Sequence, residues 1–134
     1  MSKSLIQLYN ESTQAVTAGD VISFGSVLRR YGCNLRLSGG AVEADGCGYY
    51  EANVIATVEP TAVGDVTIAL FDNNVQIPGA IASGYVGTAA TPITLPIVTT
   101  IRKGCNCDGA SQIVLKLIEG QGNVTNVSAR IVKS

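Results

Sequence analysis

The sequence predicts an all-β domain, an antiparallel β-sandwich of about eight to ten strands that spans residues 1–134. Three observations lead to this fold class. Val, Ile and Thr, which favour strands, make up 38 of the 134 residues, and 15 Gly and 4 Pro are available for turns. Apolar and polar residues alternate along short segments. Turn residues separate these segments, and no helical periodicity appears between them, which is typical of a sandwich or jelly roll.

The first half of the sequence predicts four short strands and one long strand. The short candidates, which alternate less regularly, cover residues 6–9, 20–24, 35–37 and 41–44. Within residues 49–59 the even positions are apolar and the odd positions are mostly polar, as at Glu51. This pattern indicates a half-buried antiparallel strand whose core side includes Tyr50, Val54 and Val58.

The second half predicts further strands of the same kind. The candidates cover residues 66–70, 75–77, 93–101, 113–117 and 127–131. In the first of these, Ile68 and Leu70 should face the core. The residues Asp72-Asn73-Asn74 tolerate left-handed turn geometry, so they predict a hairpin. Pro96 cannot donate a hydrogen bond to a neighbouring strand, so the strand at 93–101 should lie at a sheet edge or contain a bulge.

Two neighbouring segments resemble a known family. They are Gly48-Tyr49-Tyr50-Glu51-Ala52-Asn53-Val54 and the stretch GDVTIALFDNNVQIPGA at residues 64–80. They are similar to the G-Y-Y-x-V strand and the G-x-V-x-x-x-L-x-x-N-G-x-x-x-x-G hairpin of TNF/C1q-like jelly rolls, found in phage virion surface proteins and bacterial spore-surface proteins. Asn74 stands where the family usually has Gly, and Asn also tolerates a positive φ. The resemblance implies a single TNF/C1q-like jelly roll, a homotrimer and a role in binding or coating, with no catalytic residues to carry over.

Charge and residue usage exclude several classes of function. The formal net charge is -1, and basic residues cluster only at Arg29-Arg30 and Arg102-Lys103, which is too little to neutralise a nucleic-acid backbone. The chain has no His, which removes His-based catalytic triads and the common zinc-protease motif. No apolar run approaches the roughly 20 residues that span a bilayer, and no secretory signal is evident. We expect no catalytic residues, no nucleic-acid partner and no membrane insertion.

The four cysteines, Cys33, Cys47, Cys105 and Cys107, are the only unusual chemistry in the chain. If successive strands alternate in direction, all four lie at one end of the sandwich, near the turn at Asp72-Asn73-Asn74. Three states are compatible with this placement: free thiols in a reducing cytoplasm, disulfides formed after release from the cell, or a zinc site made of all four thiolates. The single residue between Cys105 and Cys107 is a tighter spacing than zinc ligands usually have.

Apolar residues on the polar side of two strands indicate a second surface to bury. Ile55 and Val98 both lie opposite the core side of their strands. Together with the resemblance, this predicts a homotrimer on a phage virion surface, made in the host bacterial cytoplasm. It would act without catalysis as a capsid decoration or head-spike protein that binds the major capsid protein or another virion protein. The alternative is a trimeric receptor-binding head of a fibre or spore-surface protein, which recognises a glycan or protein on the host surface.

Overall fold

The computed structural model of the chain describes residues 3–103 and 111–133, which form two antiparallel sheets packed face to face. The predicted all-β sandwich is confirmed. The described residues contain no helix that is long and apolar enough to cross a membrane. The strands are β1 (Ser4–Asn10), β2 (Gln14–Thr17), β3 (Val21–Ile22), β4 (Ser26–Tyr31), β5 (Leu35–Ser38), β6 (Ala41–Ala44), β7 (Gly48–Pro60), β8 (Gly64–Asp72), β9 (Val75–Val86), β10 (Ile93–Lys103), β11 (Ser111–Glu119) and β12 (Gln121–Lys133).

Strands that are distant in the sequence lie next to each other in both sheets. The first sheet has the order β10-β7-β12-β1-β4, and β2 pairs with β12. The second sheet has the order β5-β6-β11-β8-β9, and β3 pairs with β11. Consecutive long strands such as β7 and β8 therefore belong to different sheets, which makes the chain cross repeatedly between them, as in a jelly roll.

The core lies between the sheets and follows the predicted alternation. Tyr50, Val54, Val58, Ile68 and Leu70 are all fully buried, as the sequence predicted. Burial of a Val, Leu or Ile side chain contributes about 1.5–3 kcal/mol, so these inward-facing positions provide much of the driving force for folding. The same alternation holds in the later strands, where the buried side chains are Leu95, Ile97, Ile101, Ile113, Leu115, Leu117, Val127, Ala129 and Ile131.

Two local predictions about edges and turns are also confirmed. Asn73 and Asn74 have φ values of 51° and 68° in the turn between β8 and β9, so Asn adopts the left-handed conformation usually given to Gly. β10 is an edge strand that pairs with β7 alone in its sheet. Pro96 of β10 lies opposite Ile55 of β7, where its missing N–H disrupts no second neighbour.

The sequence did not predict two of the twelve strands in the described residues, β2 and β4. Every residue of β4 is exposed, and β2 contains a single buried side chain, Val16. Neither strand therefore shows the alternation that reveals a half-buried strand. Both exist because β12 and β1 offer unpaired backbone groups on which they form hydrogen bonds.

Candidate interaction surface and cysteine end

The solvent side of the first sheet carries several exposed, large apolar side chains. Ile55 is 43% exposed and Val98 is 73% exposed, which agrees with their predicted outward orientation. The strand register sets Ile55 level with Pro96 on one side and Ser128 on the other. We call this surface the open face, and its exposed large apolar residues are Tyr9, Tyr31, Tyr49, Ile55 and Val98.

Polar side chains between these apolar residues have few partners within the chain. One cross-strand row consists of Asn53, Arg130, Gln7 and Arg29. In the described part of the chain, no side-chain hydrogen bond or ion pair joins the members of this row. The hydroxyl oxygens of Thr57 and Thr94 do form a hydrogen bond, at 3.2 Å. The open face therefore combines exposed apolar groups with polar groups that are available to a second molecule.

Two grooves lie on the surface, one on the open face and one at an edge of the sandwich. The first has a volume of about 460 Å³ and lies on the open face itself, lined by Tyr9, Glu11, Leu28, Asn126, Val127 and Ser128. The second has a volume of about 330 Å³ and lies at the sandwich edge between β9 and β10, lined by residues that include Asp72, Val75, Ile77, Pro78, Thr100 and Arg102. One carboxylate oxygen of Asp72, Oδ1, is buried and has no hydrogen-bond partner. A partner molecule could bind in either groove.

The solvent side of the second sheet differs, because charged side chains on it have partners within the chain. Arg36 Nε donates a hydrogen bond to Glu43 Oε2 at 2.6 Å, and Gln112 Nε2 donates to Glu43 Oε1 at 2.9 Å. These bonds hold the pKa of Glu43 below its usual value, and the Glu43 partner raises the pKa of Arg36. The ammonium of Lys116 lies 4.7 Å from the centre of the Phe71 ring.

Cys33 and Cys47 lie at the same end of the sandwich as the turn at residues 72–74. Cys33 follows β4 and is an exposed free thiol, whereas Cys47 precedes β7 and is disulfide-bonded. The start of β11 joins this end to the turn, because Asn73 N–H donates a hydrogen bond to Gln112 O at 2.9 Å.

The predicted clustering of all four cysteines is only partly covered by the structure, because Cys105 and Cys107 lie outside the described residues. Residues 3–103 and 111–133 contain no group of three or more His, Cys, Asp or Glu side chains that could hold a metal. The zinc site built from Cys33, Cys47, Cys105 and Cys107 therefore stays a prediction.

A network of hydrogen bonds holds together the loops at the end of the sandwich that carries Cys33 and Cys47. The sequence did not predict this network. Asn34 N–H donates to Ser4 Oγ at 3.2 Å, and Asn34 Nδ2 donates to the carbonyl oxygen of Asp45 at 2.5 Å. The Tyr50 hydroxyl donates to the carbonyl oxygen of Gly46 at 2.7 Å. Burial, helped by the nearby Asp45 carboxylate, raises the pKa of Tyr50 above its usual value of 10.0, so the phenol stays protonated as a donor. Isolated polar residues in turns give no periodic signal, which is why this network escaped prediction.

Comparison with known proteins identifies the fold. No family model matches the chain, and no curated protein sequence is significantly similar to it. Among solved structures, the globular domain of the zebrafish complement 1qA protein has a TM-score of 0.69 at 10% identity, covering 96% of this chain and 93% of that one. Eiger, a TNF from S. frugiperda, has a TM-score of 0.70 at 10% identity, with 98% and 91% covered. Vertex protein P5 of phage PRD1 has a TM-score of 0.62 at 10% identity, with 97% and 96% covered. The chain has the TNF/C1q-like jelly-roll fold.

Proposed function

We propose that this chain is a non-enzymatic protein of a bacteriophage virion surface, and that it works as a homotrimer in capsid decoration or as a head spike. The observation that carries this proposal is the open face, where apolar and unpaired polar side chains occur together. The vertex protein of phage PRD1, which has the same fold over nearly its whole length, supports the assignment to a virion.

The composition of the open face favours a protein partner. Protein interfaces are enriched in Tyr and Arg and contain few Lys, and the open face carries three Tyr together with Arg29 and Arg130. Covering Val98 and Ile55 would remove apolar area from water, which stabilises an assembly by about 25 cal/mol for each Å² buried. A closed threefold ring would bury equivalent surfaces in every copy and leave none free to extend into a filament.

The titratable groups support a function without catalysis. Perturbed pKa values usually cluster in a cleft at an active site. In residues 3–103 and 111–133, clear shifts occur at Arg36 and Glu43, which pair with each other on the surface, and at Tyr50, which holds a turn. None of these groups lines either groove.

Two measurements test the proposal. Light scattering of the purified chain at micromolar concentration should give three times the chain mass of 13.8 kDa. A strictly monomeric mass would contradict the homotrimer. Electron microscopy of virions labelled with an antibody to this chain should then show the label on heads, and unlabelled virions would contradict the virion assignment.

The second candidate function is receptor binding by a trimeric fibre or spore-surface head. The groove between β9 and β10 favours it, because a concave site with mixed polar and apolar lining can hold a host glycan or peptide. Antibody label at tail tips, together with saturable binding of the purified trimer to host cells, would select this function over capsid decoration.

A further inference from the structure

We propose that the groove between β9 and β10 is a sugar-binding site, in which the Asp72 carboxylate accepts hydrogen bonds from the hydroxyl groups of one neutral monosaccharide unit. This inference rests on the second candidate function, receptor binding through the same groove, and it names the chemical class of the ligand. Its basis is the orientation of Asp72, the lack of a donor to its buried oxygen, and the composition of the groove walls.

The alternation of β8 directs the Asp72 side chain between the two sheets. The inward-facing residues of this strand, Val66, Ile68 and Leu70, are buried in the core. Asp72 is the next residue on the same side, because side chains of a strand alternate between its two faces. It is also the last residue of β8, and it lines the groove. An ionisable group therefore ends the apolar series of the strand, at the margin of the core.

The Asp72 carboxylate lacks a hydrogen-bond donor. Its Oδ1 atom is buried without a partner, and no ion pair to Asp72 occurs in residues 3–103 and 111–133. A buried acceptor without a donor is destabilising, because it has lost water and gained no hydrogen bond in exchange. The side chain as a whole is partly exposed, and the soft torsion about its Cβ–Cγ bond can present either oxygen to the groove. Binding of a donor in the groove is thus favoured.

Arg102 provides a donor on the β10 wall of the same groove. It is exposed, and among the described residues it forms no ion pair with Asp72. The opposite charges of the two residues give this pair no net charge, which favours a neutral ligand over an ion. A hydroxyl group both donates and accepts hydrogen bonds. Neighbouring hydroxyls of one sugar ring can therefore donate to Asp72 and accept from Arg102.

The other lining residues match a sugar ring in polarity and size. Val75, Ile77 and Pro78 offer apolar contact to the C–H groups of a ring. Gln76 and Thr100 add further polar groups. The volume of the groove, about 330 Å³, is at the lower end of the range for small-molecule sites. One monosaccharide unit is therefore the size of ligand that the groove suits.

Titration of the purified full chain with methyl glycosides tests the proposal. In NMR experiments, at least one of the methyl glycosides of D-glucose, D-galactose and D-mannose should bind with a dissociation constant of about 1 mM, as expected for one small ligand. Deoxy analogues of that glycoside should include one that binds about tenfold more weakly, because it lacks the hydroxyl that donates to Asp72. Binding of none of the three would overturn the proposal. Tighter binding of butylammonium than of any glycoside would also overturn it.

Variants of the groove locate the bound glycoside. Arg102→Ala changes an exposed side chain and should fold, and it should weaken binding about tenfold. Asp72→Ala should weaken binding at least as much, and Asp72→Asn, which keeps the size of the side chain, replaces it if the alanine variant does not fold. The matched control is Asp65→Ala, which removes an exposed carboxylate at the other end of β8 and should bind as wild type does. Unchanged affinity in the Asp72 and Arg102 variants would overturn the site.

Binding to host cells separates this inference from receptor binding itself. Saturable cell binding that neither the glycoside nor Asp72→Ala reduces would support receptor binding and overturn the sugar site. Glycoside binding that requires Asp72, with no binding to host cells, would support the sugar site and contradict the receptor function.

Discussion

Both solvent sides of the sandwich carry exposed large apolar side chains, but their polar side chains differ in whether they have partners within the chain. On the second sheet, Val21 and Ile81 are 44% and 46% exposed, close to the 43% of Ile55 on the open face. The charged groups of the second sheet nevertheless pair within the chain, as Arg36 and Glu43 do. The row of Asn53, Arg130, Gln7 and Arg29 on the open face lacks such pairing. The two sides therefore differ in whether their polar side chains have partners within the chain, and both carry exposed apolar residues.

The largest effect on stability should come from a substitution in the core, which lies between the two sheets. Val54→Asp places an unpaired charge at a fully buried position, which should cost about 4 kcal/mol or more and prevent folding. Glu51→Gln, three residues earlier on the open face, should change the free energy of unfolding by less than about 0.5 kcal/mol. Circular dichroism and the yield of soluble protein measure both. Similar losses in the two variants would mean that the assignment of faces along β7 is wrong.

The next prediction compares the two sides directly. Val98→Asp puts a charge in the open face and should convert the proposed trimer to a folded monomer, because a desolvated, unpaired charge would face each neighbouring copy. Ile81→Asp places the same charge on the solvent side of the second sheet. It should leave the assembly at three times the mass of one chain. Light scattering gives the mass, and circular dichroism shows that both variants fold. Dissociation by Ile81→Asp with no effect of Val98→Asp would assign the interface to the opposite side.

These variants also show which part of the molecule the sequence could predict. Alternation identified Val54 as buried and Val98 as exposed, because each strand with one face in the core repeats every two residues. It could not identify β4, whose residues are all exposed, although β4 provides Tyr31 and Arg29 to the open face. A strand held by backbone pairing alone leaves no pattern in its side chains.

The open face was therefore predicted only in part. Ile55 and Val98 stood out as apolar residues among polar neighbours, whereas Tyr9 and the row through Arg130 depend on which strands lie side by side. Sheet order brings β1 next to β12, from opposite ends of the chain. Such long-range pairing is a property of the whole fold, so local sequence patterns cannot specify it. The same reason explains why the contact of Asn34 with Ser4 was missed.

A smaller effect should come from Lys116 on the second sheet. Its ammonium contacts the Phe71 ring, and its row neighbour Ala69 is fully buried although it faces outward. Lys116→Ala should therefore lower the free energy of unfolding by about 0.5–1 kcal/mol. Arg130→Ala on the open face should have no comparable effect in the monomeric chain, because Arg130 has no ion-pair partner in the described residues. Chemical denaturation measures both, and equal losses would contradict the contrast between the two sides.

The smallest effect should be the pH dependence of stability that Glu43 contributes. This effect depends directly on the pairing of Glu43 with Arg36. Hydrogen bonds from Arg36 and Gln112 lower the pKa of Glu43 in the folded state below its usual value of 4.5. A carboxyl whose pKa is depressed by folding stabilises the protein above its unfolded pKa, and this contribution is lost as the pH falls through the folded value. Because Gln resembles a protonated Glu, Glu43→Gln should lower the melting temperature near pH 7, and this difference should shrink as the pH falls below 4.5. Glu51→Gln, which removes an unpaired carboxylate from the open face, should match wild type across the same pH range. A melting difference for Glu43→Gln that does not change with pH would show that the ion pair contributes nothing, and this pair would then no longer distinguish the second sheet from the open face.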